Sequence, residues 1–566
     1  MKVNRRVAVP LTIAVVLSLV GCAPGLPETV VAGSVVTVGW TQSFTSGNAS
    51  AAPTPGNLDI AAMTRGRFGD IVDGEFVADA GFGSVTIVSE EPFTVRYDLT
   101  EPRWSDDIPL DAADLLLGWA VASGFLDVSD GTDAETTGAG AESTPPRIDE
   151  FARAIEVTYP QPIDDWQSRI DVSVPAHEVA RLALGVDDPM EAKQALITAI
   201  RGGDAEAMAS IAEVWSEGFA FPESGEVPTR SLISSGPFRV AEVTLDDGGQ
   251  TLTLAPNTAY RGDITPQVEQ IRLVPPGDDP ITAISDLLDI AQVAPVAANR
   301  APIDELERQD FTITTSHDGT VWALVLKPAG IFTQPAARAA FIRAIPARTL
   351  VERGGGEWSS AYTATTSMLS APGTRAYDIV SEDSGFAQTL TGADDPAAER
   401  EAAGIAPGAP VCVLYDRASE FAVGAFAALR DAVQEAGWVA VDCGADDVPS
   451  ALDQGTWDAV ITRVSIPQTA KEIAAQWGSS GEQSLIANVD GERDTLIAQF
   501  AQTTDLYESR EVRAQIEATI VRAGVALPLA VNPTVTIVDK DVTGVSPPSG
   551  ATPRLTTDAV QWAVVP

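Results

Sequence analysis

The sequence predicts a multi-lobed α/β protein, and three observations support that prediction. The chain has 566 residues, which is too long for one hydrophobic core and requires two or more domains. Residues 231–275 contain short apolar segments separated by Gly, Asp and Pro, a pattern typical of β-hairpins. Residues 410–443 contain a strand, an amphipathic helix and a second strand, which is typical of a right-handed parallel unit.

The N-terminal residues are typical of a targeting segment. A basic start precedes an apolar stretch over residues 7–20, which is shorter than the roughly 20 residues that a spanning helix needs. The letters LVGC that end at Cys22 resemble a bacterial lipobox, in which the cysteine is acylated and becomes the new N-terminus. We therefore predict a lipoprotein signal peptide over residues 1–21 and a flexible tether over residues 22–34. The alternative is an ordinary secretory signal with a chance cysteine.

A lipidated Cys22 predicts an extracytoplasmic protein on the outer face of the cell membrane. Each buried methylene contributes about 0.8 kcal/mol, so a diacylated cysteine anchors a protein firmly. No later apolar run of the sequence approaches membrane-spanning length. We therefore expect contact with the membrane through the lipid anchor only.

The composition limits the class of partner. A hydrophobic content of 45% is typical of a globular protein. The net charge of −43 argues against a nucleic-acid partner, since phosphates would be repelled. An acidic surface either favours cationic ligands or simply keeps the protein soluble, and the composition alone does not separate these two readings.

Local patterns predict individual elements along the chain. Residues 93–99 alternate apolar and polar side chains, as in a half-buried strand. Asp111 is placed to cap the next helix, with Asp114 at the spacing of a capping box. Ser419 is placed to cap a second helix, for which Gly437 supplies the stop. A further amphipathic helix is predicted over residues 509–523.

Motifs of common enzymes are missing from the sequence. It contains no G-x-x-x-x-G-K-[ST] loop, no H-E-x-x-H, no C-x-x-C and no G-x-S-x-G. Its two histidines, His177 and His317, have no recognisable nucleophile context, and His177 is placed for a capping or surface role. We therefore expect neither enzymatic activity, nor a cofactor, nor a metal site.

Five segments, in the same order along the chain, resemble the family 5 extracellular solute-binding proteins, which bind peptides or nickel for ABC transporters. The segments are FTVRYDLTEPRWSDDIPLDAADLLLGW (93–119), SSGPFRV (234–240), LTLAPNTAYRGDITPQVEQIRL (252–273), FTQPAARAAFIRAIPARTLVE (332–352) and GVALPLAVNPTVTIVDKDVTGV (524–545).

The resemblance implies a two-lobed, periplasmic-binding-protein-like α/β fold of type II, in the large three-subdomain variant, with a hinge between the lobes. It assigns residues 35–60, 205–300 and 530–566 to lobe I, residues 61–204 to an accessory subdomain of lobe I, and residues 301–529 to lobe II. It also implies a monomeric receptor that captures an oligopeptide or related organic solute by closing its cleft. That receptor would deliver the solute to the permease subunits of an ABC importer.

The resemblance also suggests ligand-binding residues. Family members place ligand contacts after the first strand, where this sequence has Trp40 and Gln42. Trp358 and Tyr362 lie in a Gly-rich loop, and aromatic faces in a cleft stack on sugars, rings or peptide planes. Packing in a core is the alternative for each aromatic residue.

The loop that binds peptides in family members differs here. Those members carry an Asp that pairs with the α-ammonium of the ligand, whereas the matching loop of this chain contains Arg463 and Ser465. A buried ammonium without a carboxylate is costly, and an arginine suits a carboxylate or phosphate. We therefore predict a ligand that is blocked, anionic or not a peptide. The alternative is that Arg463 points to solvent or to an internal partner.

Cys412 and Cys443 leave two alternatives, since an exported protein permits a disulfide. Cys412 is predicted near the start of its strand and Cys443 at the end of the neighbouring parallel strand, which in plain register places them roughly 10 Å or more apart, too far for a bond. We therefore carry both a disulfide and two free thiols as expectations.

Two other functions compete with an importer receptor. A sensor or adaptor lipoprotein would use the same closing fold to signal to a membrane partner. A cell-envelope hydrolase is disfavoured by the missing motifs, and direct nickel binding is disfavoured by the two scattered histidines.

Overall fold

The structure is a computed structural model that describes residues 26–72, 74–126, 144–149, 152–222, 226–246, 249–277, 279–284, 286–547 and 554–565. The predicted signal peptide and Cys22 lie outside the described residues, as do the first residues of the predicted tether.

The first strand corrects the end of that tether. It begins at Val31, whereas the tether was expected to continue to residue 34. Val31 pairs with Val268, and the backbone of Gly33 donates a hydrogen bond to Glu269. Pairing with a neighbouring strand therefore orders residues whose composition alone predicts a loop.

The strands of the described residues, in chain order, are β1 (Val31–Gly39), β2 (Gly69–Val72), β3 (Glu75–Ala78), β4 (Gly83–Glu90), β5 (Phe93–Leu99), β6 (Arg147–Asp149), β7 (Ala154–Thr158), β8 (Phe238–Asp246), β9 (Gly249–Pro256), β10 (Val268–Val274), β11 (Ile290–Val293), β12 (Thr312–Leu326), β13 (Ala409–Tyr415), β14 (Trp438–Asp442), β15 (Ala459–Ser465), β16 (Ala526–Val538), β17 (Val542–Thr543) and β18 (Ala563–Val564).

The α-helices of the same residues are α1 (Pro55–Thr64), α2 (Ala112–Ala122), α3 (Ala176–Leu184), α4 (Pro189–Gly202), α5 (Ala205–Glu217), α6 (Pro280–Ile284), α7 (Ala297–Arg308), α8 (Pro335–Arg343), α9 (Ala347–Gly355), α10 (Arg375–Asp383), α11 (Phe386–Thr389), α12 (Pro396–Ala402), α13 (Glu420–Glu435), α14 (Val448–Gln454), α15 (Ala470–Trp477), α16 (Gly491–Phe500) and α17 (Leu506–Ala523). Short 3₁₀ helices lie at Thr229–Leu232, Gly330–Phe332, Gly356–Ala361 and Leu555–Gln561.

One ten-stranded mixed sheet organises the molecule, in the order β14-β13-β15-β12-β16-β11-β1-β10-β9-β8. At one end β13 lies parallel to both β14 and β15, and nearer the other end β1 lies parallel to both β10 and β11. The long strands β12 and β16 join the two groups as an antiparallel pair. The carboxyl ends of the parallel strands in each group therefore point toward the middle of the sheet, where the strand direction changes.

A second, four-stranded sheet has the order β4-β5-β7-β6 and belongs to a separate core. Val95 and Tyr97 of β5 are fully buried against helices α2 and α4, where Leu196 is also fully buried. The predicted strand over residues 93–99 is confirmed as β5. The predicted capping box is also confirmed, because Asp111 and Asp114 satisfy each other's backbone at the start of α2.

The strand–helix–strand unit predicted over residues 410–443 is confirmed as β13, α13 and β14. The Ser419 hydroxyl accepts a hydrogen bond from the backbone N–H of Ala422 at 3.2 Å, so Ser419 caps α13 as predicted. The helix ends at Glu435, two residues before Gly437. Gly437 has a φ of +81°, which glycine adopts without strain.

Cys412 and Cys443 form a disulfide, with their Cα atoms 5.6 Å apart. The expected separation of roughly 10 Å was therefore wrong. Strand β13 begins at Ala409, which lies opposite Trp438, so Cys412 lies opposite Val441. Cys443 follows only two residues later, within reach of a bond. The disulfide links the end of β14, the outermost strand of the ten-stranded sheet, to the neighbouring strand β13.

The hairpin β2–β3 and the loop after β7 contact helices α15–α17. Glu75 of the hairpin forms an ion pair with Arg510 of α17. In the loop, the Asp164 carboxylate accepts a hydrogen bond from the first backbone N–H of α15, at Ala470, over 3.1 Å. The backbone N–H of Asp164 donates to the carbonyl of Ala501 at 3.0 Å. Segments of the predicted accessory subdomain and of predicted lobe II therefore touch directly.

Candidate functional site

A cavity of about 360 Å³ lies at the middle of the ten-stranded sheet. It opens where β11 of one parallel group and β13 and β15 of the other group end, and where β12 and β16 run between the two groups. Open α/β sheets bind ligands at the carboxyl ends of their strands, at such a change of direction. The lining residues are Gln292, Val293, Ala294, Pro295, Val296, Asp318, Trp322, Gly354, Tyr362, Asp416, Ala418, Ser419, Glu420, Phe421, Arg463, Asn532, Pro533 and Thr534.

Three aromatic side chains form a stacked column in the wall of the cavity. The ring of Phe421, at the start of α13, lies between the rings of Trp322 on β12 and Tyr362. The centroid distances are 4.6 Å to Trp322 and 4.7 Å to Tyr362, with interplanar angles of 26° and 24°. Parallel offset stacking of this kind holds each ring in one orientation, so the column gives the cavity a rigid apolar wall.

A chain of hydrogen bonds runs along the same wall. The indole N–H of Trp322 donates to Asn532 Oδ1 at 2.7 Å, and Asn532 Nδ2 donates to Asp318 Oδ2 at 2.6 Å. Arg463 Nη1 donates to the same carboxylate oxygen at 3.1 Å. Its guanidinium carbon lies 5.9 Å from the centre of the Trp322 ring. Strands β12, β15 and β16 are therefore joined at the cavity by one polar network.

The start of α13 brings two more carboxylates to the cavity. Asp416 Oδ1 accepts a hydrogen bond from the backbone N–H of Ala418 at 2.8 Å, within the turn that leads into the helix. Glu420 Oε2 accepts one from the backbone N–H of Ala297 at 2.8 Å, at the start of α7. Glu420 therefore connects α13, in predicted lobe II, to the first residue of α7, in predicted lobe I, across the edge of the cavity.

Burial and the charges of this site change the pKa of the Tyr362 hydroxyl. Burial raises the pKa of Tyr362 to about 12, and the negative charges of Glu420 and Asp318 add to that increase. Arg463 opposes it. The phenol is therefore neutral at physiological pH and is available as a hydrogen-bond donor or acceptor.

The structure brings two of the six predicted ligand-binding residues, Tyr362 and Arg463, to this cavity. Both alternatives stated for Arg463 are observed, because Asp318 binds its Nη1 atom and 53% of the side chain is exposed to solvent. Ser465 is exposed two residues further along β15, opposite Thr320 of β12, and is not part of the lining.

The remaining predicted residues lie elsewhere. Trp40 is buried in the core beneath β1, and its indole N–H donates to Asp59 Oδ2 at 3.0 Å. Gln42 is exposed in the following loop. Trp358 is buried behind the cavity, where its indole N–H donates to the carbonyl of Val296, a lining residue, at 2.8 Å. Trp358 therefore supports the wall and is not part of it.

Sequence reasoning missed Asp318, Trp322, Phe421 and Asn532. Asp318 and Trp322 lie on β12, Asn532 lies on β16 and Phe421 lies on α13, and the long antiparallel pairing of β12 with β16 brings the first three together. A usable signal existed only for Phe421, which lies two residues after the predicted cap Ser419. Among the described residues, no group of three or more His, Cys, Asp and Glu side chains is placed to hold a metal ion.

A second cavity, of about 380 Å³, lies beside α1 and contains three arginines. Arg67 is paired with Asp70, and Arg554 is paired with Asp59. Arg65 donates to the carbonyls of Ile233 and Gly47. Each of these guanidinium groups therefore already has a partner inside the protein.

Within the described part of the chain, no helix combines the length and the apolar character that crossing a membrane requires.

Comparisons with known proteins address the fold. No protein-family model matches the chain. An uncharacterized lipoprotein of Mycobacterium tuberculosis is 28% identical over 406 residues, which are 69% of this chain and 66% of that protein. An uncharacterized lipoprotein of Mycobacterium bovis matches to the same extent. The match thus spans slightly less than two thirds of the length of these relatives.

Solved structures resemble the protein over nearly its whole length. The periplasmic EDTA-binding protein EppA has a TM-score of 0.74 at 17% identity, covering 96% of this chain and 98% of its own. The ABC transporter substrate-binding protein CtaP of Listeria monocytogenes has a TM-score of 0.68 at 15% identity, covering 94% and 100%. The oligopeptide-binding protein AppA of Bacillus subtilis, solved with a nonapeptide, has a TM-score of 0.60 at 12% identity, covering 94% and 99%.

These likenesses establish the fold. The chain has the mixed α/β fold of the solute-binding proteins of ABC transporters, and the fold class predicted from the five sequence segments is confirmed.

Proposed function

We propose that the protein is a lipid-anchored extracytoplasmic receptor that captures a solute and delivers it to the permease of an ABC importer. The solute class is an oligopeptide or a related organic molecule. The observation that supports this function best is the position of the cavity. Val293 and Asn532 come from segments assigned to lobe I, whereas Trp322 and Arg463 come from lobe II, so a ligand there touches both lobes.

A ligand with that position stabilises the closed arrangement of the lobes. It contacts residues of both lobes only when they are close together, so its differential affinity shifts the population toward the closed form. The permease would then distinguish loaded from empty receptor by shape. The structural neighbours EppA and AppA are binding proteins for EDTA and for oligopeptides, which supports a binding protein over an enzyme.

The predicted anchor fits the same role. Acylation at Cys22 would hold the receptor next to a membrane permease at high effective concentration. The mycobacterial relatives are described as lipoproteins, which supports this part of the proposal.

Native mass spectrometry on a chain that begins just after Cys22, purified without refolding, tests the function. We expect an additional mass that disappears on denaturation, because a closed cleft releases its ligand slowly. A protein that carries no such mass, and that no member of a peptide and organic-solute library protects against thermal unfolding, would contradict the proposal. Thermal protection by a library member would identify the solute class directly.

A further inference from the structure

The charged side chains of the cavity indicate the charge of its ligand. Four charged side chains line it, namely Asp318, Asp416, Glu420 and Arg463. Arg463 is thus the single positive side chain among the described lining residues, and its availability decides which ligand charge the cavity accepts. The inference below rests on the proposed function and concerns the ligand of the same cavity.

Asp318 already engages Arg463. Its Oδ1 atom accepts hydrogen bonds from the backbone N–H and the hydroxyl of Thr320, at 3.0 and 2.6 Å. Its Oδ2 atom accepts one from Asn532 and one from Arg463. Four donors fix this carboxylate beside the guanidinium, and its ion pair with the half-exposed Arg463 offsets the one positive side-chain charge among the described lining residues.

The other two carboxylates have no such partner. Within the described residues, no donor reaches the second oxygen of Asp416 or of Glu420, and each carboxylate receives one backbone hydrogen bond. Gln292 is held through its amide nitrogen by Thr536, which leaves its carbonyl oxygen free. Once Asp318 offsets Arg463, the carboxylates of Asp416 and Glu420 leave two uncompensated negative charges among the described lining residues. The N-terminus of α13 adds about half a positive charge, which does not offset two carboxylates.

We propose that Asp318 is a specificity-determining residue, and that the cavity takes an organic cation whose ammonium or guanidinium group is held by Asp416 and Glu420. An ammonium or guanidinium presents only donors, which matches the free acceptors. Its apolar body would contact the aromatic column and the prolines of the lining. The sequence-based prediction was a ligand that is blocked, anionic or not a peptide. This inference departs from the anionic alternative, which took Arg463 to be free, and is compatible with a ligand that is not a peptide.

Titration calorimetry with two matched probes tests the charge preference. Tryptamine and indole-3-propionate share an indole body and differ in carrying an ammonium or a carboxylate. We expect the wild-type chain to bind tryptamine at least about tenfold more tightly, the factor expected for one charge-assisted hydrogen bond. Equal or tighter binding of indole-3-propionate, or binding of neither probe, would overturn the inference.

Variants locate the preference in named residues. Glu420→Gln should weaken tryptamine binding by about tenfold. Asp318→Asn should release Arg463 and raise the affinity for indole-3-propionate, whereas Arg463→Gln should release Asp318 and tighten tryptamine binding. Arg463 is half exposed, so Arg463→Gln keeps the test valid if the loss of hydrogen bonds in Asp318→Asn prevents folding. Glu492→Gln, on the exposed surface of α16, is the matched control.

These outcomes separate the inference from the proposed function. An Asp318→Asn chain with an unchanged ratio of the two affinities would show that Asp318 does not set the preference. A natural solute that is released on denaturation and proves to be anionic would overturn the cation assignment and leave the receptor function intact. A chain that retains no solute and responds to no library member contradicts the receptor function itself.

Discussion

At the scale of single residues, Glu517 of α17 is a carboxylate buried inside the protein, with 1% of its surface exposed. It accepts hydrogen bonds from the Ser367 hydroxyl at 2.8 Å and from the backbone N–H groups of Met368 and Leu369 at 3.0 Å. Burial raises the pKa of Glu517 to about 7, although these bonds and the nearby Arg513 act in the opposite direction. The carboxylate ties the turn before α10 to the long helix α17.

This raised pKa makes the stability depend on pH. In the unfolded chain the glutamate has a pKa near 4.5, so between about pH 4.5 and about 7 the folded state binds more protons than the unfolded state. The contribution of Glu517 to the free energy of unfolding therefore falls as the pH rises through that window. Glu517→Gln removes the titrating group, and we expect the wild-type chain to lose stability relative to this variant between pH 5 and pH 8.

Urea unfolding of both chains at a series of pH values measures that difference. Exposed Glu492, which pairs with Arg522, provides a control for the exchange of glutamate for glutamine. A constant difference between the wild-type and Glu517→Gln chains across the window would show that the carboxylate has its ordinary pKa.

The role of a residue at the site could be predicted only where a single local sequence pattern indicates it. Tyr362 was predicted because it is an aromatic residue in a Gly-rich loop, and Arg463 because it stands where the sequence departs from a family motif. Both residues line the cavity. The partner of Arg463 was not predictable, because Asp318 lies 145 residues away in the chain and reaches it only through the pairing of β12 with β15. Trp40 looked equally suited to a ligand, but Asp59 holds its N–H within a core.

At the scale of elements, the unit β13–α13–β14 shows both what local patterns predict and what they leave open. Its strands, its helix, the cap and the stop all follow from periodicity and capping chemistry. The register of β14 against β13 does not, because it depends on which residues pair across the two strands. Ala409 pairs with Trp438, and this pairing brings Cys412 and Cys443 within bonding distance.

The disulfide should stabilise this edge of the sheet. The bond joins residues 31 positions apart, and a loop of this length contributes about 3–4 kcal/mol by limiting the unfolded chain. We expect the double variant Cys412→Ala, Cys443→Ala to lose about that much free energy of unfolding in urea. Addition of a reductant should lower the stability of the wild-type chain and leave that of the double variant unchanged. A wild-type chain whose urea transition ignores the reductant would argue that the two thiols are unpaired.

At the scale of the whole molecule, contacts outside the cavity also hold the two halves together. Arg510 of α17 is 7% exposed, and its ion pair with Glu75 joins the hairpin β2–β3 to predicted lobe II. The carboxylate of Asp164 lies at the N-terminus of α15, where the helix dipole favours a negative charge. These contacts require the predicted accessory subdomain and predicted lobe II to be adjacent. In the proposed receptor they would favour the closed arrangement whether or not a ligand is bound.

Weakening these contacts should lower the affinity for ligand without touching the cavity. The apparent affinity of a receptor falls in proportion to the fraction of molecules that are closed. Glu75→Gln leaves Arg510 buried without a charged partner, and we expect it to weaken solute binding about fivefold, the factor that corresponds to roughly 1 kcal/mol. Calorimetry with the solute identified by mass spectrometry measures the affinity, and small-angle X-ray scattering of the unliganded chain should show a larger radius of gyration.

Glu178→Gln is the matched control for this prediction. Glu178 also pairs with an arginine, but its partner Arg181 lies on the same helix, α3, so the pair does not join the two halves. If closure is the reason for the effect, Glu75→Gln should weaken binding and expand the unliganded chain, whereas Glu178→Gln should do neither. Equal affinities in the wild-type and Glu75→Gln chains would mean that ligand contacts alone determine the closed population, and that the ion pair with Arg510 only follows closure.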